Sequence, residues 1–154
     1  MKARTILLAL LFCLAGPLAC WASDSNLGSW KLNEAKSKIP AGAAKNTSVV
    51  YTAVGKQYKC VVEGVDAGGK SFHNEWTGNF DGKDYPVVGD PASDTRSLQM
   101  VDAHHYKLTQ KKAGKVTVTG TVATSPDGKS RTVDIHLTDA AGKKGTVTYA
   151  YDKQ

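Results

Sequence analysis

The sequence predicts an all-β domain, an antiparallel up-and-down meander closed into a β-barrel of about eight to ten strands. Valine and threonine each occur fourteen times in the 154 residues, and both suit a pleated strand. Turn chemistry recurs at short intervals: Asp66-Ala67-Gly68-Gly69-Lys70, Asp81-Gly82-Lys83, Gly89-Asp90-Pro91, Lys112-Ala113-Gly114-Lys115, Pro126-Asp127-Gly128-Lys129 and Asp139-Ala140-Ala141-Gly142-Lys143. Each supplies a glycine able to take positive φ or a proline that presets the turn. Between these turns, from Tyr51 onward, apolar residues alternate with period two and no helical period is seen. An open meander would leave two unpaired edges, and closure removes both.

Taken in order, the chain begins with Lys2 and Arg4, an apolar run over 6–15, a break at Gly16 and Pro17, and small residues around Ala19 to Ser23. This three-part layout predicts an export signal over 1–22 and one barrel domain over 23–154, hence a periplasmic or secreted protein. The run falls short of the roughly 20 residues that span a bilayer, so no stable membrane insertion is expected. A cut after Ala22 puts Cys20 and Ala22 at the two positions that must be small. The alternative cut, before Cys20, would acylate that cysteine and make an outer-membrane lipoprotein, but Pro17 stands where a leucine-like residue is usual.

Strands are expected at 28–33, 47–54, 57–65, 70–80, 84–88, 95–102, 104–112, 115–125, 129–139 and 144–152. The long connection over 33–46 holds Pro40, Ala41, Gly42, Ala43 and Ala44, as an Ω-shaped loop or a short helix lidding one barrel mouth. Dry faces group Tyr58, Cys60 and Val62; Phe72, Trp76 and Phe80; Tyr106 and Leu108; Val116, Val118 and Val122; Val133, Ile135 and Leu137; and Val147, Tyr149 and Tyr151. The wet faces carry Lys59, Glu63, His73, Glu75, Thr117, Thr119, Asp134 and His136, as one core with a solvated exterior requires.

Composition removes several function classes. The net charge is +6, and +4 without the segment 1–22, which holds Lys2 and Arg4 and no acid. The lysines are scattered and the aromatics share the dry face, so no base-stacking platform forms and no nucleic-acid partner is expected. Cys60 is the one cysteine outside 1–22. It reads as a small buried hydrophobe, with an intermolecular bridge or a reactive thiol as alternatives. His73-x-Glu75 and Asp134-x-His136 place ligand-type side chains on one strand face, and His104-His105 is an adjacent pair. Both spaced pairs lie on wet faces of separate strands with no local third ligand, so no metal is assigned. Zinc spacing, a phosphate loop and a Gly-x-Ser-x-Gly elbow are absent, so neither an enzyme nor a cofactor is expected.

Gly28-Ser29-Trp30 resembles the Gly-x-Trp motif that opens the first strand of the lipocalin and wider calycin families. That resemblance implies a plug of the closed barrel end by Trp30, with a late basic side chain, here Arg131, across it. The stretch Trp30, Lys31, Leu32, Asn33, Ala35, Lys36, Ser37, Lys38 and Ile39 also resembles the opening of periplasmic polyisoprenoid-binding barrels, with Asn33 replacing an acid and Lys36 a histidine. It is similar, too, to small exported bacterial proteins that open with Trp-Lys-Leu-Asn and Lys-Ser-Lys. The chain departs from true lipocalins in lacking a clear Thr-Asp-Tyr loop motif and paired cysteines, and in ending on a strand without a helix.

Outside 1–22 there are 16 lysines and two arginines, Arg96 and Arg131, both in the apolar register. An inward guanidinium can hold a carboxylate through paired hydrogen bonds, as barrels of the fatty-acid-binding type do. It can instead snorkel to a rim. The sixth and ninth strands start at opposite barrel ends, which argues against one clamp made of both. Arg131 is therefore expected over Trp30, and Arg96 near the mouth as the ligand contact. The expected function is binding of a small apolar or amphipathic ligand by a monomeric barrel, in a cavity lined by Tyr58, Val62, Phe72, Trp76, Arg96, Leu98, Met100, Tyr106 and Leu108. The alternative is an envelope or protein-interaction module with a packed barrel and no ligand.

Overall fold

A computed structural model describes residues 25–138 and 144–154. The expected export signal with Cys13 and Cys20, and the turn at 139–143, lie outside the described residues. Ten strands follow one another: β1 (Gly28–Leu32), β2 (Lys45–Val54), β3 (Gln57–Val65), β4 (Ser71–Gly78), β5 (Tyr85–Val88), β6 (Thr95–Met100), β7 (His105–Lys112), β8 (Lys115–Thr124), β9 (Ser130–Thr138) and β10 (Lys144–Lys153). Each pairs antiparallel with its neighbours, and β1 pairs with both β2 and β10, so the meander closes into a barrel. The strand boundaries lie within about two residues of those expected from the turns.

The turns form because aspartates fold back on their own backbone. Asp66 Oδ1 accepts from the N–H of Gly68 and of Lys70, both at 2.9 Å, and Asp127 Oδ1 accepts from Lys129 at 3.0 Å. Asp102 Oδ1 caps His104 and His105 in the same way at 2.8 and 2.9 Å. The β7–β8 hairpin has a two-residue loop with Ala113 at φ 48° and Gly114 at φ 75°. Positive φ at both central residues matches the right-handed twist of the flanking strands.

The dry faces converge on one core, with Trp30, Cys60, Trp76, Leu98, Tyr106, Val122 and Tyr151 all buried. Val116 does not join it and is 52% exposed. The β7–β8 register shifts between Gln110 and Lys111, so Thr117 is an extra residue on β8 and the alternation breaks there. The connection after β1 forms one 3-10 turn over Glu34–Lys36, capped by Asn33, whose Oδ1 accepts from Lys36 N at 3.2 Å. It then bridges Lys38 to Thr148 of β10, and Tyr149 Oη donates to Ala44 O at 2.9 Å.

Candidate functional site

The barrel interior is divided along its axis. One half is filled by an aromatic layer built on Phe80, which stacks on Tyr58 with ring centroids 4.3 Å apart and meets Tyr106 edge-on at 5.0 Å. Trp76 lies 6.2 Å from Phe80, crosses Tyr85 at 86° and donates from Nε1 to Arg96 O at 2.9 Å. The other half is open and holds a cavity of about 350 Å³. Val62, Leu98, Leu108, Val122, Val133 and Val147 wall it, while Ala43, Ala44, Phe72 and Pro91 border its mouth.

Tyr51, Arg131 and Tyr151 form its floor. Arg131 is 5% exposed, with Cζ 5.0 Å from the Tyr51 ring centroid, 5.6 Å from Trp30 and 5.8 Å from Tyr151. These distances are within cation–π range. Beneath it Trp30 is wholly buried, donating from Nε1 to Asn26 O at 2.9 Å and meeting Lys153 Nζ at 5.1 Å. Burial, with Cys60 adding to it, pushes the Tyr51 phenol well above its ordinary value even though Arg131 pulls the other way. Burial raises Tyr151 likewise. Both phenols are therefore neutral neighbours of the guanidinium at ordinary pH.

The second arginine is bonded differently. Arg96 Nη2 donates to Asn74 Oδ1 at 3.2 Å and lies 3.6 Å from Asp90 Oδ2. With the Gln110 amide oxygen facing it, Gln110 accepts from Nε at 2.9 Å and from Nη2 at 3.0 Å. Asp90 also accepts from Ala92 N at 2.9 Å and Ser93 Oγ at 2.6 Å, so Arg96 ties down the loop before β6.

Of the expected lining, Val62, Phe72, Arg96, Leu98 and Leu108 stand on the cavity wall. Tyr58, Trp76 and Tyr106 do not; they belong to the aromatic layer, because alternation reports which face a side chain takes and not its depth along the barrel. Met100 is corrected as well: at the last position of β6, where the strand leaves the barrel, it is 46% exposed. Arg96 and Arg131 do come from opposite barrel ends, yet both reach the same cavity. Tyr51, Tyr149 and Tyr151 also line it; the dry-face parity of Tyr149 and Tyr151 was the signal that could have placed those two there, and for Tyr51 the signal was its alternation with Val49. Nothing in the turn residue Asp90 announced that it would fold back onto Arg96.

His73, His105 and His136 are exposed, and His104 is partly buried. His73 is half exposed, with Nδ1 2.5 Å from Glu63 and Nε2 3.3 Å from Glu75. Among the described residues no cluster of three or more His, Cys, Asp or Glu is placed to hold a metal ion. No helix among them is long and apolar enough to cross a membrane. No family model matches this chain, and no curated protein matches it.

Proposed function

We propose that this is an exported, lipocalin-like barrel that binds a small hydrophobic or amphipathic molecule in its interior, as a monomer and without catalysis. The cavity carries the reading: about 350 Å³ of space with apolar walls falls at the lower end of volumes typical of small-molecule sites. The likeness to lipocalins at Gly28-Ser29-Trp30 is supported by Arg131, which lies over that indole. Export rests on the segment 1–22.

Native mass spectrometry of the protein purified from its own host tests this, together with uptake of the apolar fluorophore N-phenyl-1-naphthylamine. An organic adduct and saturable uptake are expected. Leu108→Trp, which fills the cavity from its wall, should abolish uptake while leaving the far-ultraviolet circular dichroism unchanged. Absence of both adduct and uptake would favour a barrel used for protein contacts instead.

A further inference from the structure

The two arginines of the cavity differ in what they still lack. Arg96 has its donors engaged by Asn74 and Gln110 and its charge faced by Asp90. Arg131 has neither kind of partner. Its Nε and Nη1 are buried and make no hydrogen bond, and no carboxylate among the described residues lies within 4.0 Å. Directly across the β8–β9 ladder, the Thr124 hydroxyl is also buried without a partner. A buried cation faced only by aromatic rings keeps part of its desolvation cost uncompensated, and buried donors left unpaired add to that cost.

We propose that Arg131 is the head-group receptor of this cavity and that the ligand is a monocarboxylate, bound head inward with its apolar body toward the mouth. The inference rests on the ligand-binding reading above and deepens it. Each of the two edges of the guanidinium plane includes one of the unused donors, so a carboxylate approaching either edge meets one. A planar carboxylate matches that plane, and one negative charge balances one unpaired positive charge. The neutral phenols of Tyr51 and Tyr151 provide no competing anion. The cavity is open at its mouth and offers about 350 Å³, within the range of small-molecule sites, so a medium-chain acid such as decanoate is a suitable probe.

The test compares decanoate with decanol, which has the same tail without the charge, by isothermal titration calorimetry. Wild-type protein should bind decanoate at least tenfold more tightly than decanol. Arg131→Met, close in volume and uncharged, should remove that preference by weakening decanoate and leaving decanol within about threefold. Should Arg131→Met fail to fold, the wild-type protein still decides the point. Its arginines other than Arg4 are Arg96 and Arg131, so the Nε–H resonance of Arg131 can be assigned and followed by NMR. It should shift on adding decanoate and stay in place with decanol. Equal affinity for the two probes, or a decanoate preference that survives Arg131→Met and is lost in Arg96→Gln, overturns the inference and leaves ligand binding intact. Binding of neither probe overturns the binding reading itself.

Discussion

Trp76→Ala should be among the most damaging single substitutions in this barrel. The indole is 1% exposed, is packed against Phe80 and Tyr85, and donates a hydrogen bond to Arg96 O at 2.9 Å. Truncating a buried tryptophan typically costs about 3–5 kcal/mol. Leaving the Arg96 carbonyl without its donor adds about 1–3 kcal/mol unless water enters the space. The sum is of order 4–8 kcal/mol, a large part of the roughly 5–15 kcal/mol that holds a domain folded. At about 3–5 °C per kcal/mol for a domain of this size, the melting temperature should fall by at least about 12 °C, and by up to about 40 °C at the upper bounds. Urea unfolding followed by far-ultraviolet circular dichroism measures the loss, with the slope checking that both variants unfold in the same way. Trp76→Phe separates the two contributions, since it keeps a ring and removes the donor; about 1–3 kcal/mol is expected. A cost below 1 kcal/mol for Trp76→Ala would mean that Trp76 borders open space, and would refute the packed aromatic layer.

Trp30→Ala should cost a similar 3–5 kcal/mol in the same assay, because it removes a wholly buried ring and the face on which Arg131 rests. Gly78→Ala should destabilise by about 1–3 kcal/mol by calorimetry, since a Cβ there would stand 2.5 Å from the Tyr85 ring and 2.7 Å from Trp76. Hydrogen bonds donated by His73 to Glu63 and then to Glu75 raise its pKa above the ordinary value of 6.5. NMR titration should show that raised midpoint, and Glu63→Gln should bring it down. The sign follows: this contribution to stability is fully present below the unfolded value and is lost as pH rises through the higher folded one. N-terminal sequencing of exported protein should begin at Ser23, and an acylated Cys20 would instead place the protein on a membrane.

The sequence by itself determined the strand count, the hairpin positions and which face of most strands is dry. Those properties are local: an aspartate closing its own turn, as Asp66 and Asp127 do, and a side-chain period of two need no distant partner. Local reasoning failed at Val116, where a bulge set by pairing with β7 breaks the alternation. It also could not divide the interior into a filled half and an open one. Tyr58, Trp76 and Tyr106 share an inward parity with Val62 and Leu98, and only closure of the ten strands stacks the first three on Phe80 and leaves the others around a cavity. The bonding of the two arginines was tertiary as well. Asp90, Asn74 and Gln110 reach Arg96 from three separate segments, whereas Arg131 meets rings from β1, β2 and β10 and no carboxylate among the described residues. Depth along the barrel axis and counter-charge depend on strand tilt and register, and those are set jointly by all the strands when the barrel closes.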